Sequence, residues 1–281
     1  MLSEKIYLKE VFKGLADSDY NPSLSLYILN TSEEISPDYK RQSVVICPGG
    51  GYEFTSDREA EPIALRFMAA GFNAFVLRYS VKTNLYPVQL LEVSAAVAYV
   101  RSMGEKWHID ADKIVVCGFS AGGHLAGSLG VFWEESFIKE KLGIKAGQNK
   151  PNAMILSYPV ITSGEFAHVG SFDYLLGKEA SKRAREALSL EKHVSSNTPP
   201  TFIWHTMDDA TVPVENALLF ANALKEKDIP FELHIYNKGV HGLALCDKTT
   251  ANMERADHIS PHVGTWFNLA VEWLRDILKI D

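Results

Sequence analysis

The stretch Lys113 to Leu125, reading KIVVCGFSAGGHL, constrains the fold more than any other part of the chain. Ile114, Val115, Val116 and Cys117 form a short apolar run of the kind that makes a strand buried on both faces. Gly118-Phe119-Ser120-Ala121-Gly122 follows at once, and beyond it Leu125, Ala126, Leu129 and Val131 suit a packed helix. A strand that turns straight into a helix brings two backbones together, and glycines at the flanking positions leave room for that approach. The serine between them is then held in a strained conformation with its hydroxyl above the sheet, as in a nucleophile elbow. Ser120 is therefore the candidate nucleophile. The plain alternative is an ordinary serine in a glycine-rich turn; the strand before it and the helix after it weigh against that.

Elements on either side repeat the strand–helix theme. Ile6 to Phe12 and Leu24 to Leu29 alternate and read as an antiparallel opening pair around the turn chemistry of residues 17–22. Ser43 to Cys47 reads as a buried strand, Arg58 to Ala70 as a helix closed by Gly71, and Phe72 to Tyr79 as the next strand. Pro87 opens a second helix, with Val88, Leu91, Val93, Val97 and Val100 facing the core. After the elbow come strands at Ala153 to Tyr158, Thr201 to His205 and Phe231 to Tyr236, and helices at Val214 to Lys227 and Trp266 to Leu278. This alternation implies an α/β fold, a mostly parallel eight-stranded sheet with helices on both faces. The chain reads as one domain over 1–281, with no repeats. Residues 160–197 show no strand signal and are too long for a plain connection. They read as a small cap insertion with a charged helical piece from Lys178 to Leu190; a solvated surface helix is the alternative.

Three further places carry chemistry. The strand at Ser43 to Cys47 ends in Pro48-Gly49-Gly50-Gly51-Tyr52, and consecutive glycines let backbone N–H groups point into a pocket. Acyl transfer by a serine needs a base for the hydroxyl proton and a carboxylate to orient that base. His241, between Gly239 and Gly242 after a strand, is the candidate base. The acid is Asp208 or Asp209; Asp209 is preferred because Asp209 to Pro213 form a D-x-x-V-P pattern that runs into the next helix. All three groups follow carboxyl ends of strands, where open parallel sheets form their sites. His124 reads as a packing residue, and His205 as a strand-end residue that could face the pocket. His258 and His262 are four apart, but Pro261 between them argues against a helical metal pair. No HExxH or paired CxxC is present, so neither metal nor cofactor is expected.

Composition narrows the partners. The 281 residues are 46% hydrophobic and 22% charged, an ordinary globular balance. The net charge of −7 gives no basic surface for nucleic acid. Cys47, Cys117 and Cys246 are an odd number and read as reduced, buried thiols. No apolar run reaches membrane-spanning length and the N-terminal residues lack a leader pattern, so a cytoplasmic protein is expected. A small-molecule substrate is the expected partner; oligomeric state is open, and a homo-oligomer is admitted.

With these residues in place, the chain resembles a known family. The segments CPGGGY, SDREAEPIALRFMAAGFNAFVLRYS, IDADKIVVCGFSAGGHLAG, TPPTFIWHTMDDATVPVENALLFANAL and FELHIYNKGVHG are similar to bacterial α/β-hydrolase esterases of the acetyl esterase and acetylxylan-esterase-like group. The resemblance runs from Val44 to the last helix. It implies a serine carboxylesterase for short-acyl, often acetyl, esters, with acetylated sugars or xylo-oligosaccharides among its substrates. It carries the nucleophile onto Ser120, the acid onto Asp209 and the base onto His241, and the oxyanion donors onto the Gly50 or Gly51 N–H and the Ala121 N–H. Tyr52, Glu53 and Phe119 are expected to wall the substrate pocket together with the 160–197 segment. The chain departs from hormone-sensitive-lipase-like esterases: Pro48 stands where they have the histidine of HGGG, and their long N-terminal cap has no counterpart, so bulky lipid esters are not expected. Peptidase chemistry of the prolyl-oligopeptidase type, arylformamidase chemistry and a non-catalytic binding role on the same scaffold are the competing readings.

A histidine base must be neutral to accept the serine proton. Esterase activity is therefore expected to rise with pH through one ionisation, near the reference histidine value of about 6.5. A profile flat from pH 5 to 8, with chemistry rate-limiting, would remove a histidine base.

Overall fold

A computed structural model of the chain describes residues 1–15, 19–34, 36–252 and 254–280. Strands β1 (Leu2–Tyr7), β2 (Ser23–Ile28), β3 (Arg41–Cys47), β4 (Asn73–Arg78), β5 (Ile109–Phe119), β6 (Ala153–Ser157), β7 (Thr201–Thr206) and β8 (Phe231–Tyr236) form one eight-stranded sheet in the order β1-β2-β4-β3-β5-β6-β7-β8. β1–β2 and β2–β4 pair antiparallel, and every pairing from β4 through β3 to β8 is parallel. Consequently the loops after β3, β5, β7 and β8 all leave the same edge of the sheet. That single fact brings four distant segments to one place.

The strands alternate with period two between two cores. Val45 and Cys47 of β3, Ile114 and Val116 of β5, and Ile203 of β7 pack on one face. They meet α3 (Val88–Ser102), α4 (Ala121–Phe132) and α8 (Glu215–Glu226) there. Val44 and Ile46, Val115, Cys117 and Phe119, and Phe202 and Trp204 pack on the other, against α2 (Glu61–Ala69) and α9 (Trp266–Ile277). Burial on both faces is why these strands read as unbroken apolar runs. All three cysteines are free and buried. Burial pushes the Cys47 and Cys117 thiols well up and the Cys246 thiol up to about 12.

Three local expectations change. The first strand stops at Tyr7, and α1 (Leu8–Val11) follows where extended chain was expected to reach Phe12. The β1–β2 ladder ends at the Tyr7–Ser23 pair because the next partner, Pro22, has no N–H to donate; its carbonyl accepts the Leu8 N–H instead. The charged helix expected from Lys178 to Leu190 shrinks to α7 (Lys182–Glu186), begun by Ser181, whose hydroxyl accepts the Ala184 N–H at 3.2 Å. The insertion also holds a second helix, α6 (Val169–Leu176), and α5 (Ser136–Leu142) lies outside it, neither of them expected. Of the expected first turn, Asp17 and Ser18 lie outside the described residues. Among the described residues no helix is long and apolar enough to cross a membrane.

The elbow depends on close backbone packing. A Cβ on Gly118 would collide with the Gly122 carbonyl, and one on Gly122 with the Cys47 carbonyl oxygen at the end of β3. Gly122→Ala must part β3 from α4, and is expected to cost about 1–3 kcal/mol of stability. A urea midpoint unchanged from wild type would show that the two backbones are not in contact.

Candidate active site

Ser120 sits at the junction of β5 and α4 with φ 53° and ψ −119°. A non-glycine residue there costs about 1–3 kcal/mol and persists only when its surroundings enforce it. Here the Ser120 N–H donates to the Ser157 carbonyl at 3.0 Å, while the Ser120 carbonyl accepts the N–H groups of Val160 and His124, each at 3.1 Å. The backbone is thus clamped between β6 and α4, and the hydroxyl is left to point over the sheet edge. Its Oγ lies 2.8 Å from His241 Nε2.

His241 Nδ1 lies 2.7 Å from Asp209 Oδ2. The other oxygen of Asp209 accepts the N–H groups of Thr211 at 2.9 Å and Val212 at 3.0 Å, so the D-x-x-V-P turn is itself the carboxylate's cradle. Burial alone would raise this carboxyl. Hydrogen bonds from His205 and His241, the His241 charge and the Val212 N–H outweigh it and hold Asp209 below the usual carboxylate range. An anionic Asp209 leaves the Nδ1 proton on His241 and frees Nε2 to accept from serine. His205, fully buried, does not face the cavity: its Nε2 lies 2.9 Å from the Val212 carbonyl and 3.3 Å from Asp209 Oδ2, which fixes the acid loop from below. Asp208 turns away and accepts the Gly239 N–H at 2.6 Å, and the Thr206 hydroxyl donates to the Gly239 carbonyl at 2.7 Å. Asp208 therefore holds the loop that carries His241.

The glycine loop after β3 faces Ser120 across the cavity. Gly50 and Gly51 have φ of 125° and 66°, and both line the cavity beside the serine. A Cβ on Gly50 would strike the Phe54 carbonyl. Ala121, the first residue of α4, has an N–H without an intrahelical acceptor, on the positive end of the helix. The loop is anchored by residues the sequence reading missed. Tyr79 donates to the Pro48 carbonyl at 2.6 Å. Glu59 accepts the Gly49 N–H at 2.8 Å with one oxygen and the Tyr158 hydroxyl at 2.6 Å with the other. Tyr158 Oη in turn accepts the Ala244 N–H at 3.0 Å, and its ring meets the His241 ring edge-on at 5.0 Å. Burial, then Glu59, pushes this phenol well above its ordinary value, so it stays a donor. One buried carboxylate thus joins the glycine loop to the histidine loop.

The cavity at Ser120 measures about 430 Å³. Of the three expected wall residues, Glu53 lines it, tied to Lys82 at 3.1 Å. Tyr52 and Phe119 do not. Tyr52 turns under the loop, its hydroxyl 2.9 Å from His124 Nδ1, with His124 Nε2 2.9 Å from the Leu188 carbonyl. Phe119 shares the face of Cys117 two residues before it and packs on Tyr158 and Trp266. The walls come instead from Arg58, Glu59, His258, and from His168, Gly170 and Tyr174 of the insertion. Arg58 is held by the Gly242 carbonyl at 2.7 Å and by that of Thr250. A larger groove of about 620 Å³ lies against α2, lined by Glu61, Leu65 and Arg66 among others, and contains none of the groups above.

Comparison with known proteins gives the family and the fold. The family model BD-FAE matches residues 33–224. The chain is 39% identical over 249 residues to endo-1,4-beta-xylanase B of Butyrivibrio fibrisolvens, covering 87% of this chain and 38% of that one. It is 28% identical over 242 residues to the acetylxylan esterase of Xylanibacter ruminicola, covering 84% and 44%. It therefore spans less than half the length of these two relatives. The structure of an acetyl ester-xyloside bifunctional hydrolase from Caldicellulosiruptor lactoaceticus superposes with a TM-score of 0.83 at 37% identity, over 98% of this chain and 96% of that one. The carboxylesterase Cest-2923 of Lactobacillus plantarum superposes equally well, TM-score 0.83, at 26% identity over 98% of each chain. A sheet that delivers a strained serine, a histidine and a buried aspartate to one edge, and relatives that carry ester-hydrolase names on the same fold, lead to one assignment: the chain is an α/β-hydrolase and belongs to the BD-FAE family.

Proposed function

We propose that the protein is a serine carboxylesterase that removes short acyl groups, acetyl first among them, from acetylated sugars such as xylo-oligosaccharides. The observation that carries this reading is the continuous chain Ser120 Oγ, His241 Nε2, His241 Nδ1, Asp209 Oδ2, with contacts of 2.8 and 2.7 Å, opening on one cavity. His241 takes the Ser120 proton as Oγ attacks the ester carbonyl carbon, and the charge that develops on the carbonyl oxygen is met by the N–H groups of Ala121 and of Gly50 or Gly51. The tetrahedral adduct collapses, His241 gives its proton to the departing alkoxide, and an acyl-serine remains. Water, deprotonated by the same imidazole, attacks that ester; the carboxylic acid leaves and Ser120 regains its proton.

The substrate part rests on the walls and on kinship. Most of the wall side chains are polar or charged, and Phe54, 57% exposed, stands at the mouth with an aromatic face that a sugar ring can cover. The acetylxylan and acetyl ester-xyloside names of the relatives point to the same chemistry. Those names also include glycoside hydrolysis, which requires two carboxyl groups flanking the scissile bond, one of them kept protonated as the acid. Glu59 is held by Gly49 and Tyr158 and Glu53 by Lys82, so the ester is the bond we assign.

Two outcomes test the proposal. Ser120→Ala should lower turnover about 10⁶-fold, and Asp209→Asn about 10⁴-fold, because triad members act as a unit. Asp208→Asn, which weakens only a loop bond, should lose far less. A tenth of wild-type activity left in Ser120→Ala, or the reverse ranking of the aspartates, would break the assignment.

Acyl length is the second. Long chains need an extended apolar channel, since each buried CH₂ contributes about 0.8 kcal/mol, and the side chains around this cavity are mostly of polar or charged type. Across p-nitrophenyl esters kcat/KM should peak at acetyl or propionyl and fall steeply beyond butyryl. Highest efficiency at octanoyl or longer would overturn the short-acyl reading.

A further inference from the structure

The insertion brings one group to the cavity that the steps above leave unused, the imidazole of His168. Its Nδ1 lies 2.8 Å from Ser171 Oγ and accepts the Ser171 N–H at 3.3 Å, closing the first turn of α6. With Nδ1 accepting the Ser171 N–H, which the His168 carbonyl shares at 3.1 Å, the hydrogen of the neutral ring belongs on Nε2. Burial, and after it the charge of nearby His241, lowers the tendency of this ring to protonate. The ring lines the same cavity as Ser120 and His241. Its Cε1 would stand 4.0 Å from a Cβ built on Gly51 and 3.6 Å from one on Gly170, which places the ring against the glycine loop. Among the described residues Nε2 has no protein acceptor. The result is an imidazole held beside the nucleophile, its Nδ1 tied to the first turn of α6.

We infer that His168 is a specificity-determining residue, which donates its Nε2–H to a hydroxyl oxygen of the carbohydrate part of the ester. This rests on the proposed esterase function and names a recognition group within it. An acetyl group fills only a small part of a cavity of about 430 Å³, and the remaining space, walled in part by the insertion, is left for the alcohol half. A neutral N–H suits a sugar hydroxyl, which offers lone pairs and no charge. A p-nitrophenolate leaving group has no hydroxyl to accept the bond.

Two conservative variants separate this role from helix capping. In His168→Gln the side-chain amide reaches the position of Nε2 and keeps a donor in the cavity. In His168→Asn the shorter amide reaches the position of Nδ1 and keeps the bond to Ser171 but not the donor. Each is assayed on O-acetylated xylobiose and on p-nitrophenyl acetate, with the melting midpoint checked alongside. The Asn variant is expected to lose about tenfold in kcat/KM on acetylated xylobiose, chiefly through KM, and much less on the aryl ester; the Gln variant should stay within about threefold of wild type on both. Wild-type behaviour in Asn with a loss in Gln would make His168 a helix cap only and overturn the inference. Equal losses on both substrates would overturn it too, by placing the ring on the acyl half. A wild-type protein that cleaves the aryl acetate but not acetylated xylobiose would overturn it together with the carbohydrate assignment, while the esterase reading stood; failure on both esters would reject the esterase reading itself.

Discussion

The contact on which the site depends is between two stretches of backbone, with no side chain in between. α4 starts so close to the end of β3 that hydrogen alone fits at Gly122, and the return of α4 against β5 demands the same at Gly118. That approach forces Ser120 into its strained turn. It also sets the first turn of α4 directly beside the loop that leaves β3. The buried acid is the second half of the same economy: Asp209 is surrounded by donors before any substrate arrives, so little reorganisation remains for the reaction itself.

How far the sequence could be read follows from which contacts are local. The parallel sheet was visible because doubly buried strands are apolar throughout, and the order Ser120, Asp209, His241 was visible because each residue follows a strand whose end lies at one edge. The D-x-x-V-P pattern separated Asp209 from Asp208 because the carboxylate's own cradle is built two and three residues downstream. Pocket walls were harder. Phe119 and Tyr52 are neighbours of the reactive loops in the chain, but Phe119 falls on the far face of its strand and Tyr52 turns under its loop toward His124, so both side chains go into the core. The period-two pattern that puts Phe119 on the side of Cys117 was present and could have removed it.

Other parts had no local signal. Glu59 and Tyr158 are 99 positions apart, and Arg58 meets the Gly242 carbonyl across 184. Nothing in the neighbourhood of either residue announces such a partner. His168 sits in a segment without periodicity, and only the folded insertion places it over Gly51. The helical piece expected around Lys178 was drawn to charge, whereas the helix that reaches the cavity, α6, begins beside Gly170, which weakens any pattern-based reading.

The three cysteines have a practical meaning for this chain. Each thiol is enclosed, and burial keeps it protonated far beyond neutral pH, so the thiolate that reacts with alkylating agents and oxidants is almost absent from the folded state. Oxygen at Ser120 is then the only activated nucleophile we assign. Thiol modification at Cys47 or Cys117 requires that the sheet first open, since they lie in its two central strands. A maleimide at Cys47 or Cys117 therefore counts molecules that have lost their fold, whereas Cys246, in the loop after β8, needs only that loop to open.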